Sequence, residues 1–477
     1  KLKLGYCIRP MIMAHYVRFH LFGIIHKHER GDKFMTIKRE ALLNQLIAAK
    51  HSDFVKIVTG IRRCGKSFLL FNLFKQHLLS SGVKKDHIIE IDLEKEENVH
   101  LTDPLELGKY IRGKTPKGRG RFYVLIDEIQ RCRKVLPPGI DLSRIHPDDR
   151  ESAYVTFYGV LSGLRTSPHI DVYVTGSNSK LLISDVATEF RGRGRIIQTM
   201  PLSFAEYRDF RASETNTFAV LQEYMRYGGL PECALMPHTE EKERYLRGLY
   251  GTIYIKDIME RNKLQDADLL ETIINMVMSN VAGLTNPTKL TNMIQSSVGM
   301  KATRPTIVKY LNCLKNAFLV LEAARYDVKG RHHLDYPVKY YATDPGLRNA
   351  RINFRQTEPT HLMENVIYCE LVRRGYPVDI GVVILDDRKN GIHQARQYEI
   401  DFIVNRGPRK IYIQSAYSLP SAEKREQETF SLRHTGDSFK KVVITNDPFQ
   451  TRTYDDSGIA YIGLVDFLLD PHALDTL

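Results

Sequence analysis

Cysteine is scarce and widely spaced in this sequence. Among 477 residues there are six cysteines, at positions 7, 64, 132, 233, 313 and 369, and no two of them form a C-x-x-C pair. This spacing argues against a disulfide framework and a zinc site, and it is typical of reduced thiols in a cytoplasmic protein. Long apolar runs are also missing. No stretch of about 18 uncharged apolar residues occurs, so no membrane span is predicted.

Acidic residues are fewer than basic ones. Asp and Glu number 56 against 69 Lys and Arg, which gives a net charge of +13. The surplus favours a polyanionic partner, most commonly nucleic acid, although a solvated basic surface would give the same balance. Hydrophobic residues make up 43%, which excludes a largely disordered chain. The length indicates two to four domains.

Residues 1–34 differ in character from the rest. They mix basic and aromatic residues, and they lack the apolar core and small-residue cleavage site of a secretory signal. A more regular segment begins at Met35. We expect residues 1–34 to be an extension that carries no weight in assigning a function.

Strand and helix patterns alternate in the first half of the chain. Apolar or β-rich runs occur at 54–59, 87–93, 122–126 and 170–175, and segments with helical spacing separate them. This alternation predicts an α/β domain with a parallel sheet, and the almost wholly apolar run 122–126 predicts a strand buried on both faces. From about residue 203 helical patterns dominate.

A phosphate-binding motif lies between the first predicted strand and a helix. Residues 60–67 match G-x-x-x-x-G-K-[ST] in full. The glycines let backbone N–H groups turn toward phosphate oxygens, and the helix N-terminus adds a favourable dipole. Lys66 is expected to reach the β- and γ-phosphates of ATP, and the Ser67 hydroxyl to bind Mg²⁺. The predicted nucleotide-binding residues are Gly60, Arg63, Cys64, Gly65, Lys66, Ser67 and Phe68.

Two carboxylates end the buried strand 122–126. Asp127 is predicted to hold Mg²⁺ through water, and Glu128 to act as the general base on the attacking water. Asn178 follows the next strand and is a candidate contact for the γ-phosphate, with capping of the following helix as the alternative. Arg193 is a candidate for stabilising transition-state charge, with a solvated arginine loop as the alternative.

Together these motifs resemble those of prokaryotic AAA-type ATPases that carry a carboxy-terminal domain of unknown function. The matching segments are 58–67, 125–130, 174–179, 190–193, 201–207, 227–231, 364–368 and 399–403. The resemblance implies a P-loop ATPase core, a winged-helix segment and a last domain similar to restriction-endonuclease-like nucleases. It also implies a sensor role for Asn178.

A winged-helix pattern occupies residues 286–344. Helices are predicted at 290–294 and 304–318, followed by a β-ribbon whose basic turn contains Lys329 and Arg331. Such a module places one helix in the major groove and its wing on phosphates, so DNA is an expected partner. The fold also serves protein interaction, which is the open alternative.

The last domain has an incomplete nuclease pattern. Asp401 fits a strand carboxylate and Glu364 a helical one, but Gln414 stands where a second carboxylate is usual and Ala416 where a lysine is usual. The lysines nearest in sequence are Lys410 and Lys424. We therefore expect no nuclease activity and a role in binding or packing.

These observations predict four segments. They are an extension (1–34), an AAA-type ATPase domain (35–235), a helical and winged-helix domain (236–345) and a small α/β endonuclease-like domain (346–477). The expected function is ATP hydrolysis that controls a DNA- or protein-binding carboxy-terminal half, in a cytoplasmic protein capable of homo-oligomerisation. A slow nucleotide-dependent switch that recruits a protein partner, and an ATP-regulated nuclease, are the alternatives.

Overall fold

The computed structural model describes residues 37–177, 192–355, 358–389 and 392–476. These residues form a five-stranded sheet, a helical region and a nine-stranded sheet. Within these ranges, no helix combines the length and the apolar character needed to span a membrane. The predicted extension, residues 1–34, lies outside the described residues.

The five-stranded sheet is parallel throughout, in the order β2-β3-β4-β1-β5. Its strands are β1 (Val55–Thr59), β2 (Ile88–Asp92), β3 (Phe122–Asp127), β4 (Ile170–Gly176) and β5 (Gly194–Gln198). The predicted parallel α/β sheet is confirmed. The edge strand β5 was not predicted, because its arginine-containing sequence has the character of a solvated loop and three of its five residues are exposed.

Both faces of this sheet are covered. In β3, Val124 and Ile126 point into one apolar core while Tyr123 and Leu125 point into another, so the strand is buried on both faces as predicted. The helices of this part are α1 (Glu40–Ala48), α2 (Lys66–Phe68), α3 (Lys75–Ser80), α4 (Pro104–Lys114) and α5 (Phe157–Arg165). A π-helical segment, Leu69–Phe74, joins α2 to α3.

Eight helices follow in the region where helical patterns dominate the sequence. They are α6 (Phe204–Phe210), α7 (Thr217–Tyr227), α8 (Pro231–Leu235), α9 (Thr239–Leu249), α10 (Ile255–Asn262), α11 (Ala267–Ser279), α12 (Pro287–Met293) and α13 (Arg304–Asn316). Their apolar faces extend the core of the first sheet as far as Tyr341 and Phe402 in the second, so one continuous core links the two sheets.

The nine-stranded sheet has the order β13-β14-β12-β11-β10-β9-β7-β8-β6. Its strands are β6 (Leu284–Thr285), β7 (Val320–Asp327), β8 (His332–Ala342), β9 (Val378–Lys389), β10 (Ile392–Arg406), β11 (Arg409–Ala416), β12 (Lys440–Thr445), β13 (Thr453–Tyr454) and β14 (Ala460–Gly463). The accompanying helices are α14 (Pro345–Arg351), α15 (Pro359–Arg373), α16 (Ala422–Arg433) and α17 (Leu464–Leu469).

The predicted β-ribbon is the β7–β8 hairpin of this sheet. On its other side β7 pairs in parallel with β9, so the ribbon and the last part of the chain share one sheet across the predicted boundary at residue 345. The helices expected before the ribbon are present as α12 and α13. The winged-helix and endonuclease-like assignments, and the boundaries of the four predicted segments, stay predictions.

Candidate nucleotide site

The loop between β1 and α2 has a backbone that only glycine accommodates at two positions. Gly60 has a φ of 148°, and a Cβ atom there would lie 1.9 Å from the carbonyl oxygen of Thr199. Gly65 has a φ of 93° and immediately precedes α2. The first N–H groups of a helix have no partner inside it, so the turn presents free amides together with the positive end of the helix dipole.

Lys66 places its ammonium group inside this loop. The side chain is buried, and its Nζ donates to the carbonyl oxygens of Gly60 and Ile61, each at 3.1 Å. The buried Cys64 thiol donates to Thr199 O at 3.4 Å, and burial raises the pKa of this thiol. Arg63 forms an ion pair with Glu232 at 3.6 Å. The Cys64 side chain therefore points into the protein interior, and its backbone N–H donates to the carbonyl oxygen of Ile61 at 3.4 Å.

Arg39 holds the phosphate-binding loop (residues 60–67) by a hydrogen bond, and this role was not predicted. Its buried guanidinium donates to the carbonyl oxygens of Cys64 (3.1 Å) and Met200 (2.8 Å), and to the Glu206 carboxylate (2.9 Å). Three partners from separate segments hold the loop against the start of the helical region. A lone arginine before α1 gives no sequence signal for this role.

Asp127 and Glu128 lie at the carboxyl end of β3. The P-loop (residues 60–67) follows β1 and lies at the same edge, because the strands are parallel. Both are buried. The Thr175 hydroxyl, at the end of β4, donates to Asp127 and accepts the backbone N–H of Glu128 at 3.0 Å. Glu128 has a φ of 51°, a left-handed conformation that is uncommon for a residue with a Cβ and is often found at functional sites. Thr175 was missed by sequence reasoning, although a hydroxyl ending the neighbouring strand is the signal for it.

The environment of Asp127 favours its protonated form. Burial, and after it the negative charge of Glu128, raise the pKa of Asp127 to about 6, against opposing hydrogen bonds from Thr175 and Ser67 and the charge of Lys66. A divalent cation would reverse this balance by supplying positive charge to the carboxylate.

The donor set fits Mg²⁺ and a nucleoside triphosphate. The Ser67 hydroxyl and the Asp127 carboxylate are hard oxygen ligands of the kind that Mg²⁺ prefers. Lys66 and the amides at the start of α2 suit phosphate oxygens. The structure thus brings together Gly60, Gly65, Lys66, Ser67 and the two carboxylates, and Phe68 continues the same helix, half-buried.

Glu128 belongs to a hydrogen-bonded group that extends into the helical region. Its carboxylate accepts from Gln130 and, at 3.2 Å, from the Ser177 hydroxyl. Arg261, on α10, donates to Ser177 Oγ at 2.7 Å and pairs with Asp257 at 2.9 Å. Sequence reasoning missed Arg261, since it lies far along the chain and no motif marks it.

Of the remaining predicted catalytic residues, Asn178 lies outside the described residues and Arg193 lies away from this site. Arg193 is exposed, and its carbonyl oxygen accepts the N–H of Val55 at 3.2 Å. Because β5 runs parallel to β1, this bond places Arg193 at the amino end of the sheet, one strand length from the P-loop. Within a single chain, Arg193 therefore does not face the phosphates.

A second buried polar cluster lies in the nine-stranded sheet. Lys339, on β8, donates to Glu364 at 2.9 Å and pairs with Glu399 at 2.5 Å. Asp401 accepts the backbone N–H of Ser415 at 2.8 Å, and burial, followed by the charge of Glu364, raises its pKa well above the ordinary value. Within the described ranges, no three acidic, histidine or cysteine side chains are arranged to hold a metal ion.

The lysine of this cluster is not one of those expected. Lys424 pairs with Glu428 at 2.5 Å, and the Lys410 ammonium lies over the ring of Phe439, 5.2 Å from its centre. Lys339 reaches the cluster instead, from a strand about sixty positions earlier in the chain. The strand motif lacks a lysine at Ala416, and strand pairing brings Lys339 to the cluster from outside that motif.

Comparison with known proteins places these sites in a family context. Residues 52–208 match the AAA domain family, and residues 219–358 match a domain of unknown function (DUF8612). An uncharacterized protein of Methanocaldococcus jannaschii is 24% identical over 446 residues, which cover 91% of this chain and 90% of that protein. Among solved structures, a Walker-type ATPase of Pyrococcus abyssi is similar with a TM-score of 0.44 and 15% identity, over 66% of this chain and 96% of that one.

A bacterial relative is more similar in sequence. An uncharacterized protein of Haemophilus influenzae is 33% identical over 436 residues, covering 91% of this chain and 98% of that protein. The similarity spans both sheets and the helical region between them. The chain belongs to the family of this Haemophilus influenzae protein, and it carries an AAA domain at residues 52–208.

Proposed function

We propose that the protein hydrolyses ATP with Mg²⁺ and that its nucleotide state controls a DNA-binding carboxy-terminal half. One observation carries the first part. Lys66, Ser67, Asp127 and Glu128 meet at the carboxyl edge of a single parallel sheet, beside a glycine-built loop. The AAA domain match covers the same residues.

Each of these residues has a role that follows from its position. The Lys66 ammonium neutralises phosphate charge from within the loop, and the amides at the start of α2 bind phosphate oxygens. Ser67 and Asp127 would hold Mg²⁺, which supplies charge stabilisation at the β- and γ-phosphates. Glu128 takes a proton from the attacking water. Thr175 is a positioning residue, since it bonds to both Asp127 and the backbone of Glu128.

The second part of the proposal is supported by charge and exposure. The tip of the β7–β8 hairpin is exposed and carries Lys329 and Arg331, and Asp327 holds the turn by accepting the N–H groups of Lys329 (3.0 Å) and Gly330 (2.9 Å). A basic tip on a fixed turn suits contact with DNA phosphates. Recruitment of a protein partner by a slow switch is the competing proposal.

Steady-state turnover tests the proposal. Phosphate release by the full chain should require both ATP and Mg²⁺, should be abolished by EDTA, and should be lost in Lys66→Ala. Conservative replacement at a distant exposed lysine, Lys109→Arg, provides the matched control. Turnover that persists in Lys66→Ala would refute the assignment of the site. Hydrolysis of a single ATP for each ATP bound, at a rate that does not change with DNA, would favour the slow switch that recruits a protein partner.

A further inference from the structure

A basic cleft separates α10 from α13. It has a volume of about 720 Å³, and its charged lining residues are four cations, Arg261, Lys263, Lys309 and Lys315, with no carboxylate among the lining residues described. Asparagine amides at positions 262, 312 and 316 complete most of the polar lining. Small-molecule sites are lined mainly by apolar and aromatic side chains, so this cleft is better suited to a charged ligand.

Two of the four cations are already neutralised and two are not. Lys315 pairs with Glu322 at 2.9 Å, and Arg261 pairs with Asp257 at 2.9 Å. Lys263 and Lys309 are exposed, and neither forms an ion pair with any residue in the described part of the chain. The cleft therefore has a surplus of two positive charges.

The acidic groups nearest in the chain are engaged elsewhere. Asp266, which follows α10, caps α11 by accepting the N–H of Leu269 at 2.8 Å. Glu260, on α10, lies 3.8 Å from Lys256. The two unpaired lysines of the cleft are therefore available to an anion from outside the chain, and a nucleic-acid backbone presents a row of negatively charged phosphates.

Arg261 is shared between this cleft and the nucleotide site. While its side chain lines the cleft, the guanidinium donates to both the carbonyl oxygen (3.0 Å) and the hydroxyl (2.7 Å) of Ser177. That hydroxyl in turn donates to the carboxylate of Glu128 at 3.2 Å. Arg261 therefore connects an anion in the cleft to Ser177, and Ser177 bonds to the proposed general base, Glu128.

We propose that the cleft binds the phosphodiester backbone of a nucleic acid and that the bound phosphate stimulates ATP hydrolysis through Arg261. The phosphate draws the guanidinium away from Ser177, and the hydroxyl then loses its fixed orientation. Glu128 keeps its hydrogen bond from Gln130, loses the one from Ser177, and gains a lone pair that can accept a proton from water. This coupling rests on the proposed ATPase function, whereas binding of nucleic acid in the cleft does not.

Charge reversal in the cleft tests the binding site. Full-length Lys263→Glu/Lys309→Glu is compared with Lys84→Glu/Lys85→Glu, a double reversal at exposed lysines of the first domain. Affinity is measured by fluorescence anisotropy with labelled 30-nucleotide single- and double-stranded DNA at several salt concentrations. We expect the cleft variant to bind at least tenfold more weakly. Its salt slope should be smaller by about two, since two lysines no longer neutralise a phosphate each.

Equal affinity of the cleft variant and the control variant would overturn the site. Equally tight binding of poly-glutamate to the wild-type protein, abolished by the same variant, would overturn its assignment to nucleic acid and indicate an acidic protein partner. Circular dichroism of both variants shows that a loss of binding does not arise from unfolding.

Turnover of Arg261→Gln tests the coupling. In the wild type, saturating DNA should raise kcat several-fold, and in Arg261→Gln the rates with and without DNA should be equal while DNA affinity falls by no more than a few-fold. Stimulation that survives in Arg261→Gln would overturn the role of Arg261. Should the wild type show no turnover sensitive to Lys66→Ala, the proposed ATPase function fails, and the anisotropy experiment still decides the cleft.

Discussion

Replacing Asp127 by asparagine should make the nucleotide-free protein more stable at pH 7.5. The aspartate is 5% exposed, and burial together with the charge of Glu128 raises its pKa from the ordinary value of 3.8 to about 6. A rise of about 2 pKa units corresponds to about 3 kcal/mol that the ionised carboxylate costs the folded state. Asparagine keeps an oxygen that can accept from Thr175, and it carries no charge.

The pH dependence of this effect has a definite sign. Because the folded-state pKa is raised, the contribution of the protonated Asp127 to stability is fully present below pH 3.8 and is lost as the pH rises through 6. The gain in the free energy of unfolding from Asp127→Asn should therefore fall from about 3 kcal/mol at pH 7.5 to about 1 kcal/mol at pH 4.5.

Urea unfolding in EDTA, followed by far-ultraviolet circular dichroism, measures the gain at both pH values. The exposed Asp86→Asn serves as the matched control and should show no comparable gain at either pH. Added Mg²⁺ and ATP should stabilise the wild type more than Asp127→Asn, since the variant lacks the carboxylate that holds the metal. A variant that is destabilised at pH 7.5, or a gain of equal size at both pH values, would refute the reasoning.

Four further predictions concern binding and catalysis. Lys66→Ala should abolish tight ATP binding in calorimetry, because the cation inside the loop is removed; undiminished affinity would contradict its role. Glu128→Gln should keep ATP bound while lowering kcat by about 10²–10⁴-fold, the usual contribution of a general base, and a wild-type rate would exclude it as the base. Lys329→Glu/Arg331→Glu should weaken DNA binding and reduce its dependence on salt concentration, as measured by anisotropy, and unchanged binding would favour a protein partner. The wild type should not cleave DNA with Mg²⁺ or Mn²⁺, because the Lys339 ammonium already pairs with two of the carboxylates near Asp401; cleavage that vanishes in Asp401→Ala would make the protein a nuclease.

The polar cluster around Lys339 changes the basis of that last prediction. The strand motif has Ala416 where a lysine is usual, and β8 supplies Lys339 to the same cluster. What remains against cleavage is that Gln414 brings no charge where a second strand carboxylate is usual. Glu364 is also engaged, accepting from the Tyr341 hydroxyl at 2.7 Å as well as from Lys339. Metal binding would have to displace an ammonium group from the carboxylates near Asp401.

The sequence alone determined the elements whose signals are local. The P-loop is a run of eight residues whose glycines, lysine and serine act where they stand, and β3 is an apolar run whose two faces both meet a core. The parallel sheet followed from the alternation of strands and helices, and Asp127 and Glu128 from their place at a strand end. These features depend on residues that are close together along the chain, so a pattern in the sequence is enough to predict them.

Only the tertiary structure decided which distant side chains complete the sites. Arg39 and Arg261 reach the nucleotide site from the start of α1 and from α10, and Lys339 reaches its carboxylates from another strand. Strand β5 pairs with β1 although three of its five residues are exposed, and this pairing places Arg193 at the end of the sheet away from the phosphates. A buried charge is stabilised by whichever opposite charge packing brings near it, and spacing along the chain does not encode that choice.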